Sequence, residues 1–201
     1  VVVGMAGLLD LGYAAFFAMG AYTWAIFGSG QASEFMSGSF PLAGWPYFYI
    51  FCALAVITAA LTGTLIGLPA LRLRGDYLAV VTLGLGQVVR VLANNLDQPV
   101  NITNGPQGIT PVERPPIPWL MRGLDALGFD PNPALGYALF FYLLVLGVMG
   151  AVVLINVRLD RSRFGRAWVA IREDEIAARA AGISLLKTKL QAFATGAAFS
   201  G

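Results

Sequence analysis

Histidine is absent from these 201 residues, and cysteine occurs once, at position 52, inside an apolar run. Those two scarcities exclude a disulfide framework, a Cys/His zinc site and any His-dependent catalytic triad. Charge is scarce too: Asp, Glu, Lys and Arg make up 12% of the chain, about half the share usual in a soluble domain. A soluble protein of this size needs a polar shell, and the residues to build one are missing. The net charge of +2 argues against a nucleic-acid partner. No G-x-x-x-x-G-K-[ST] phosphate loop occurs, so any ATP would have to be bound by another chain. There is also no charged leader. The chain opens on Val1-Val2-Val3 and stops at Gly201 within an apolar run, which reads as the middle of a longer protein.

What is present is apolar. Hydrophobic residues make up 57% of the chain, and the mean hydropathy is +0.71. Many of the 24 glycines lie inside apolar stretches, as in membrane helices whose backbones approach closely. A spanning helix needs about 20 mostly apolar residues. Tyr47–Leu68 and Gly136–Val157 qualify without a single charge, and Tyr77–Ala93 carries only Arg90. Val1–Gly28 is too long for one straight span and contains Asp10, and Lys189–Gly201 begins another apolar run. The fold class expected is all-α: a polytopic transmembrane helix bundle of about five spans or part-spans, forming a single domain over 1–201.

The loops set direction. Loop 29–46 has no Lys or Arg, loop 69–76 has Arg72 and Arg74, and loop 94–135 has Arg114 and Arg122 against four acids. Loop 158–189 holds eight of the 13 basic residues. Short basic loops stay in the cytoplasm, so 69–76 and 158–189 are expected inside, with 29–46 and 94–135 outside. Loop 94–135 is rich in turn signals such as Asn104-Gly105-Pro106 and Pro115-Pro116. It suits either a partner surface or a simple cap over the bundle.

The segment Arg161–Lys189 reads as helix, turn, helix. Arg166 to Ala181 is rich in helix formers, Gly182 suits a left-handed C-cap, and Ser184 can cap the next helix. Glu175 and Arg179 stand at i, i+4 in the favourable order. Such a helix could dock in a groove on an ATPase. Trp168, Ile171 and Ile176 would pack, Arg172, Glu173, Asp174 and Glu175 would fix register, and Ala177, Ala178 and Gly182 would permit close approach. The alternative is a solvated basic loop.

Four blocks, in order along the chain, carry a resemblance: GLLDLGYAAFFAMGAY (Gly7–Tyr22), LPALRLRGDYLAVVTLGLGQVVR (Leu68–Arg90), ITNGPQGI (Ile102–Ile109) and GRAWVAIREDEIAARAAGI (Gly165–Ile183). The sequence resembles the LivM-type permeases of branched-chain amino-acid ABC importers. The resemblance implies a multi-pass protein of the bacterial inner membrane that takes Leu, Ile or Val from a periplasmic binding protein. It also implies a second, homologous permease chain and two ATP-binding subunits, with ATP used by those subunits and no cofactor, metal or catalytic group on this chain. Gly165, Arg166, Trp168, Arg172, Glu173, Asp174, Glu175, Ala177, Ala178 and Gly182 fall in the ATPase-contacting block. Thr103, Asn104, Gly105, Pro106 and Gly108 fall in the outer-loop motif, where the binding protein is expected. Two departures stand out. Ile176 occupies the position where the general signature of ABC permeases has Glu, with Glu175 one residue early. Asp10 and Tyr13 stand where many family members carry Ser and His.

Ionisable groups inside a bilayer usually face a cavity or a partner. Asp10 lies between Gly7 and Gly12, at an expected helix break. In one reading Asp10, Gly12 and Tyr13 line the translocation path, with Phe16 and Phe17 as apolar contacts. In the other, Asp10 ends a helix that starts near Gly12, on the cytoplasmic side. Gly84, Gly86 and Gln87 suit either a path or tight packing. Gly63-x-x-x-Gly67 reads as a helix contact, Arg90 as a snorkelling residue, and Arg72, Arg74 and Asp76 as interface anchors. Related permeases carry other amino acids, short amides or urea, which remain alternatives. An ion-coupled transporter would need an inverted repeat and buried acids but not the docking helix, and a membrane enzyme would need clustered catalytic groups.

Overall fold

The computed structural model describes residues 4, 6–7, 10–34, 45–71, 76–126 and 133–201, and among these every regular element is helical. Helix α1 spans Tyr13–Phe27, α2 Trp45–Ala70, α3 Asp76–Asn95, α4 Pro118–Ala126, α5 Pro133–Asp160, α6 Arg163–Glu173, α7 Glu175–Ala180 and α8 Leu185–Ser200. Two short 3-10 segments, Gly30–Glu34 and Gly105–Gln107, sit in the connections. Arg72 and Arg74, expected to anchor an interface, lie outside the described residues.

Three of these helices, α2, α3 and α5, are long and apolar enough to cross a membrane. At ~1.5 Å per residue, the 26 residues of α2 and 28 of α5 exceed a hydrocarbon core of ~30 Å. Helix α1, with 15 residues, reaches only ~22 Å. Both α2 and α5 are apolar on every side, as helices surrounded by lipid and other helices must be. The hydroxyls of α2 are satisfied locally at Thr58, Thr62 and Thr64, each donating to a carbonyl three or four residues back. One such hydroxyl also reaches across helices, Thr23 to Thr58 at 3.0 Å. The chain is a multi-pass membrane protein.

Packing centres on α8, which lies along α2 and α1. Phe16, Ala59, Leu71, Phe193 and Ala197 form the core there, with Phe16 and Phe193 edge to face at 6.0 Å. Gly63 and Gly67 of α2 face Ala197 and Phe193 of α8, and a Cβ on Gly63 would collide with the Ala197 methyl. The small-residue pair is therefore a helix contact, and α8 is what it contacts. A second cluster, Phe48, Ile117 and Phe140, ties the start of α2 to α5 and the segment before α4. Beyond that junction α5 stands almost wholly exposed, with Val145 and Leu154 more than half accessible. This is the surface expected of a helix meeting lipid or another membrane chain.

Candidate functional site

Three regions hold the residues singled out from sequence. The first is a bend at 10–12, just before α1. The backbone leaves helical geometry there, and Gly12 precedes the first turn of α1. Asp10 Oδ1 accepts the Gly12 N–H at 2.9 Å, while Thr82 Oγ1 of α3 accepts the Leu11 N–H at 3.1 Å. The Leu11 and Gly12 N–H groups of the bend are thus both bonded to side-chain oxygens, and α1 starts directly after Gly12. Gly12 packs directly on α3, and a Cβ on Gly86 would meet the Gly12 Cα only at ordinary contact distance.

Above that crossing, α1 and α3 separate to leave a groove of about 350 Å³. Leu11, Ala18 and Leu83 give it apolar walls, and Gly86, Gln87 and Arg90 line its α3 side. The candidate path residues divide accordingly. Gly86 and Gln87 border the groove. Tyr13 and Phe17 point outward from α1, each more than 60% exposed. Phe16 does not share that face; it is 2% exposed and packs on Phe193. Gly84 is open, with no atom where a Cβ would go.

The second region is the basic end. Ser162 caps α6 by accepting the Gly165 N–H, and Gly165 presses on the Leu159 carbonyl, where a Cβ would collide. This glycine allows the chain to fold back tightly from α5. A single helix was expected from Arg166 to Ala181, but the structure breaks it at Asp174. There the carboxylate accepts the N–H groups of both Ile176 (2.7 Å) and Ala177 (3.1 Å), capping a new helix, α7. Gly182, at φ +84°, closes α7 as expected, with the Ile183 N–H returning to the Ala178 carbonyl at 3.0 Å. Ser184 stands at the N-cap of α8 but makes no side-chain cap bond. Glu175 pairs with Lys189 of α8, where the sequence spacing had suggested Arg179.

The docking residues also divide. Trp168 (1% exposed), Ile171 and Ala178 face inward, and the Trp168 indole N–H donates to the Thr188 carbonyl at 3.0 Å. Arg172 lies outside and donates to the Gly4 carbonyl at 2.7 Å, with Gly7 (φ +65°) against its stem. Arg166, Arg172, Glu173, Asp174, Ala177 and Arg179 remain exposed, and Ile176 is 82% exposed.

The third region is the opposite end. Thr103 Oγ1 donates to the Ala93 carbonyl at 2.6 Å, and the Ile102 and Thr103 N–H groups share the Leu96 carbonyl. The loop thereby caps α3. Thr103 and Gly105 are buried, Asn104 and Gly108 partly so, and Pro106 is exposed. Asn104 (φ 59°) and Gly105 (φ 55°) are both left-handed, and Gly105 sits against the Asn94 carbonyl.

A profile of the family described as "Branched-chain amino acid transport system / permease component" matches residues 1–201. The chain belongs to that family. It is similar to the "High-affinity branched-chain amino acid transport system permease protein LivM" of Escherichia coli (strain K12), 40% identical over 214 aligned positions, covering 100% of this chain and 46% of that protein. The protein of the same name from Salmonella typhimurium gives the same identity and coverage. The "Probable branched-chain amino acid transport permease protein LivM" of Methanocaldococcus jannaschii is 31% identical over 151 positions, covering 72% of this chain and 38% of its own length. The chain spans less than half the length of the relatives it matches. No solved structure matches it.

Sequence reading of this permease-family chain missed Thr82, Thr188 and Lys189. Thr82 is a hydroxyl in an otherwise apolar turn, which was the available signal. Lys189 counted only as one more basic residue of its loop, although it lies four residues beyond the N-terminus of an apolar helix. Arg90, expected to snorkel, is exposed and also borders the α1–α3 groove.

Proposed function

We propose that this chain is permease material of an ATP-driven importer in the inner membrane, and that with a second permease it forms the path for branched-chain amino acids. The ATP would be hydrolysed by partner subunits docked on the basic end, and a periplasmic binding protein would deliver the amino acid to the 94–126 side. One observation carries this reading: on α7, at the basic end, Ile176 is 82% exposed amid the exposed charges Arg172, Glu173, Asp174 and Arg179. An apolar side chain ringed by charge has the anatomy of a protein contact. Membership of the permease family supports it, as does the crowding of basic residues on the same loop, which favours a cytoplasmic position.

The α1–α3 groove is our candidate for this chain's share of the path. Its apolar walls suit an aliphatic side chain, and Gln87 and Arg90 offer polar contacts for the zwitterionic end. Such contacts must be weak, since tight binding would stop release.

The test uses the full-length protein with its partner subunits. Ile176→Asp is expected to reduce recovery of the ATPase with the permease by about tenfold, the loss of one well-packed contact residue. The melting temperature should be unchanged, because the side chain is not part of the core. Recovery of wild-type protein without any ATPase would sink the reading. Competition of labelled leucine uptake by leucine, isoleucine, valine and urea identifies the substrate.

A further inference from the structure

A docking helix is useful only if its movement reaches the membrane helices. A solvated loop between α5 and α8 would absorb that movement. In this chain two contacts tie the loop to α8. The Trp168 ring is buried with Ala6 and Ala192, and its N–H donates to the Thr188 carbonyl. One residue further along, Lys189 Nζ donates to the Glu175 carboxylate. The Lys189 side chain is only 8% exposed, against 39% for Glu175. A buried ammonium group is costly unless paired, so α7 and the base of α8 hold each other in register.

The position of Lys189 on α8 gives the pair its consequence. Lys189, Phe193 and Ala197 recur at intervals of four along α8 and share one stripe. Lys189 grips α7, Phe193 meets Phe16 of α1, and Ala197 abuts Gly63 of α2. One face of α8 therefore joins α7 to both α1 and α2.

We propose that the Glu175–Lys189 ion pair is a latch that makes α7 and α8 move as one body, so that displacement of α7 by a docked ATPase is delivered along this stripe to α1 and α2. Glu175 and Lys189 are positioning residues, since neither need touch the transported solute. The proposal rests on the function given above. It also accounts for the chemistry of Glu175, which stands one residue before the usual signature position: its carboxylate faces α8.

The test is the complete importer, with full-length permease, in liposomes, reading solute moved per ATP hydrolysed alongside ATPase recovery. Lys189→Met and Glu175→Gln are each expected to retain the ATPase and to lower solute moved per ATP by about tenfold, the usual scale for loss of one coupling contact. The exchange Glu175→Lys with Lys189→Glu is expected to recover most of that loss, which ties it to the ion pair itself, while retained ATPase recovery in the single variants separates lost coupling from a merely structural defect. Glu175→Gln keeps the test open if Lys189→Met does not fold, since Glu175 lies at the accessible end of the pair. An unchanged ratio in both single variants, or an exchange no better than either, overturns the latch while leaving the function standing. A wild-type complex that moves solute without hydrolysing ATP sinks the function and the latch together.

Discussion

Gly12 lies so close to α3 that a Cβ on it would sit 2.5 Å from the Thr82 carbonyl oxygen. The same threonine accepts the Leu11 N–H through its hydroxyl, so one residue of α3 fixes both the approach and the direction of α1.

Gly12→Ala must therefore push α1 away from backbone that cannot yield. It is expected to destabilise the protein by about 1–3 kcal/mol, the usual cost of overpacking. Gly84→Ala should be neutral in stability, since no atom lies within 4 Å of its Cβ position. Thermal unfolding of the purified full-length protein compares the two, and equal melting temperatures would contradict the packing described here.

The groove gives a second expectation. Leu83→Trp adds a bulky ring to a wall of the 350 Å³ space between α1 and α3. Leu83 is half exposed, so the larger side chain should cost little stability. If this is the path, leucine uptake falls by about tenfold or more while the ATPase still co-purifies, as expected for a blocked site worth at least ~1.4 kcal/mol. Asp10→Ala, which removes the acceptor of the Gly12 N–H, tests the bend beneath it in the same assay. Normal uptake by both variants would remove this groove from the path.

Trp168 supplies a third. Trp168→Phe keeps most of the buried ring but loses the bond to Thr188, a change worth about 1 kcal/mol. Trp168→Ala leaves a cavity under the loop and should cost about 3–5 kcal/mol. Melting temperatures in that order are expected, with Ile176→Asp at the wild-type value. A tolerated alanine at 168 would mean that the ring is not buried as the structure has it.

The helices were legible because the bilayer imposes a simple rule: a backbone crossing it must satisfy its own hydrogen bonds, and its side chains must be apolar. Tyr47–Leu68 and Gly136–Val157 were each found within a few residues of α2 and α5. The break within Arg166–Ala181 was less legible. Helix propensity runs through Asp174, yet an Asp side chain can compete for backbone N–H groups, and here its carboxylate takes two. The same limit applies to the docking residues. Trp168 and Ile176 are both apolar and lie eight positions apart, and no periodicity said that one would be buried at 1% and the other exposed at 82%.

Composition and charge placement by themselves determined that this chain lives in a membrane, roughly where its helices run, and that its basic residues gather in one loop. Those properties depend on transfer between water and lipid, which each segment settles alone. Ordered motifs added the family. Only tertiary structure decided that Phe16 belongs to the core, that Gly63 and Gly67 receive α8, and that Glu175 answers Lys189 across a turn. Each of these depends on which helix lies beside which, and local sequence does not encode that choice: several apolar faces can satisfy the same bilayer, and only their mutual fit selects one arrangement.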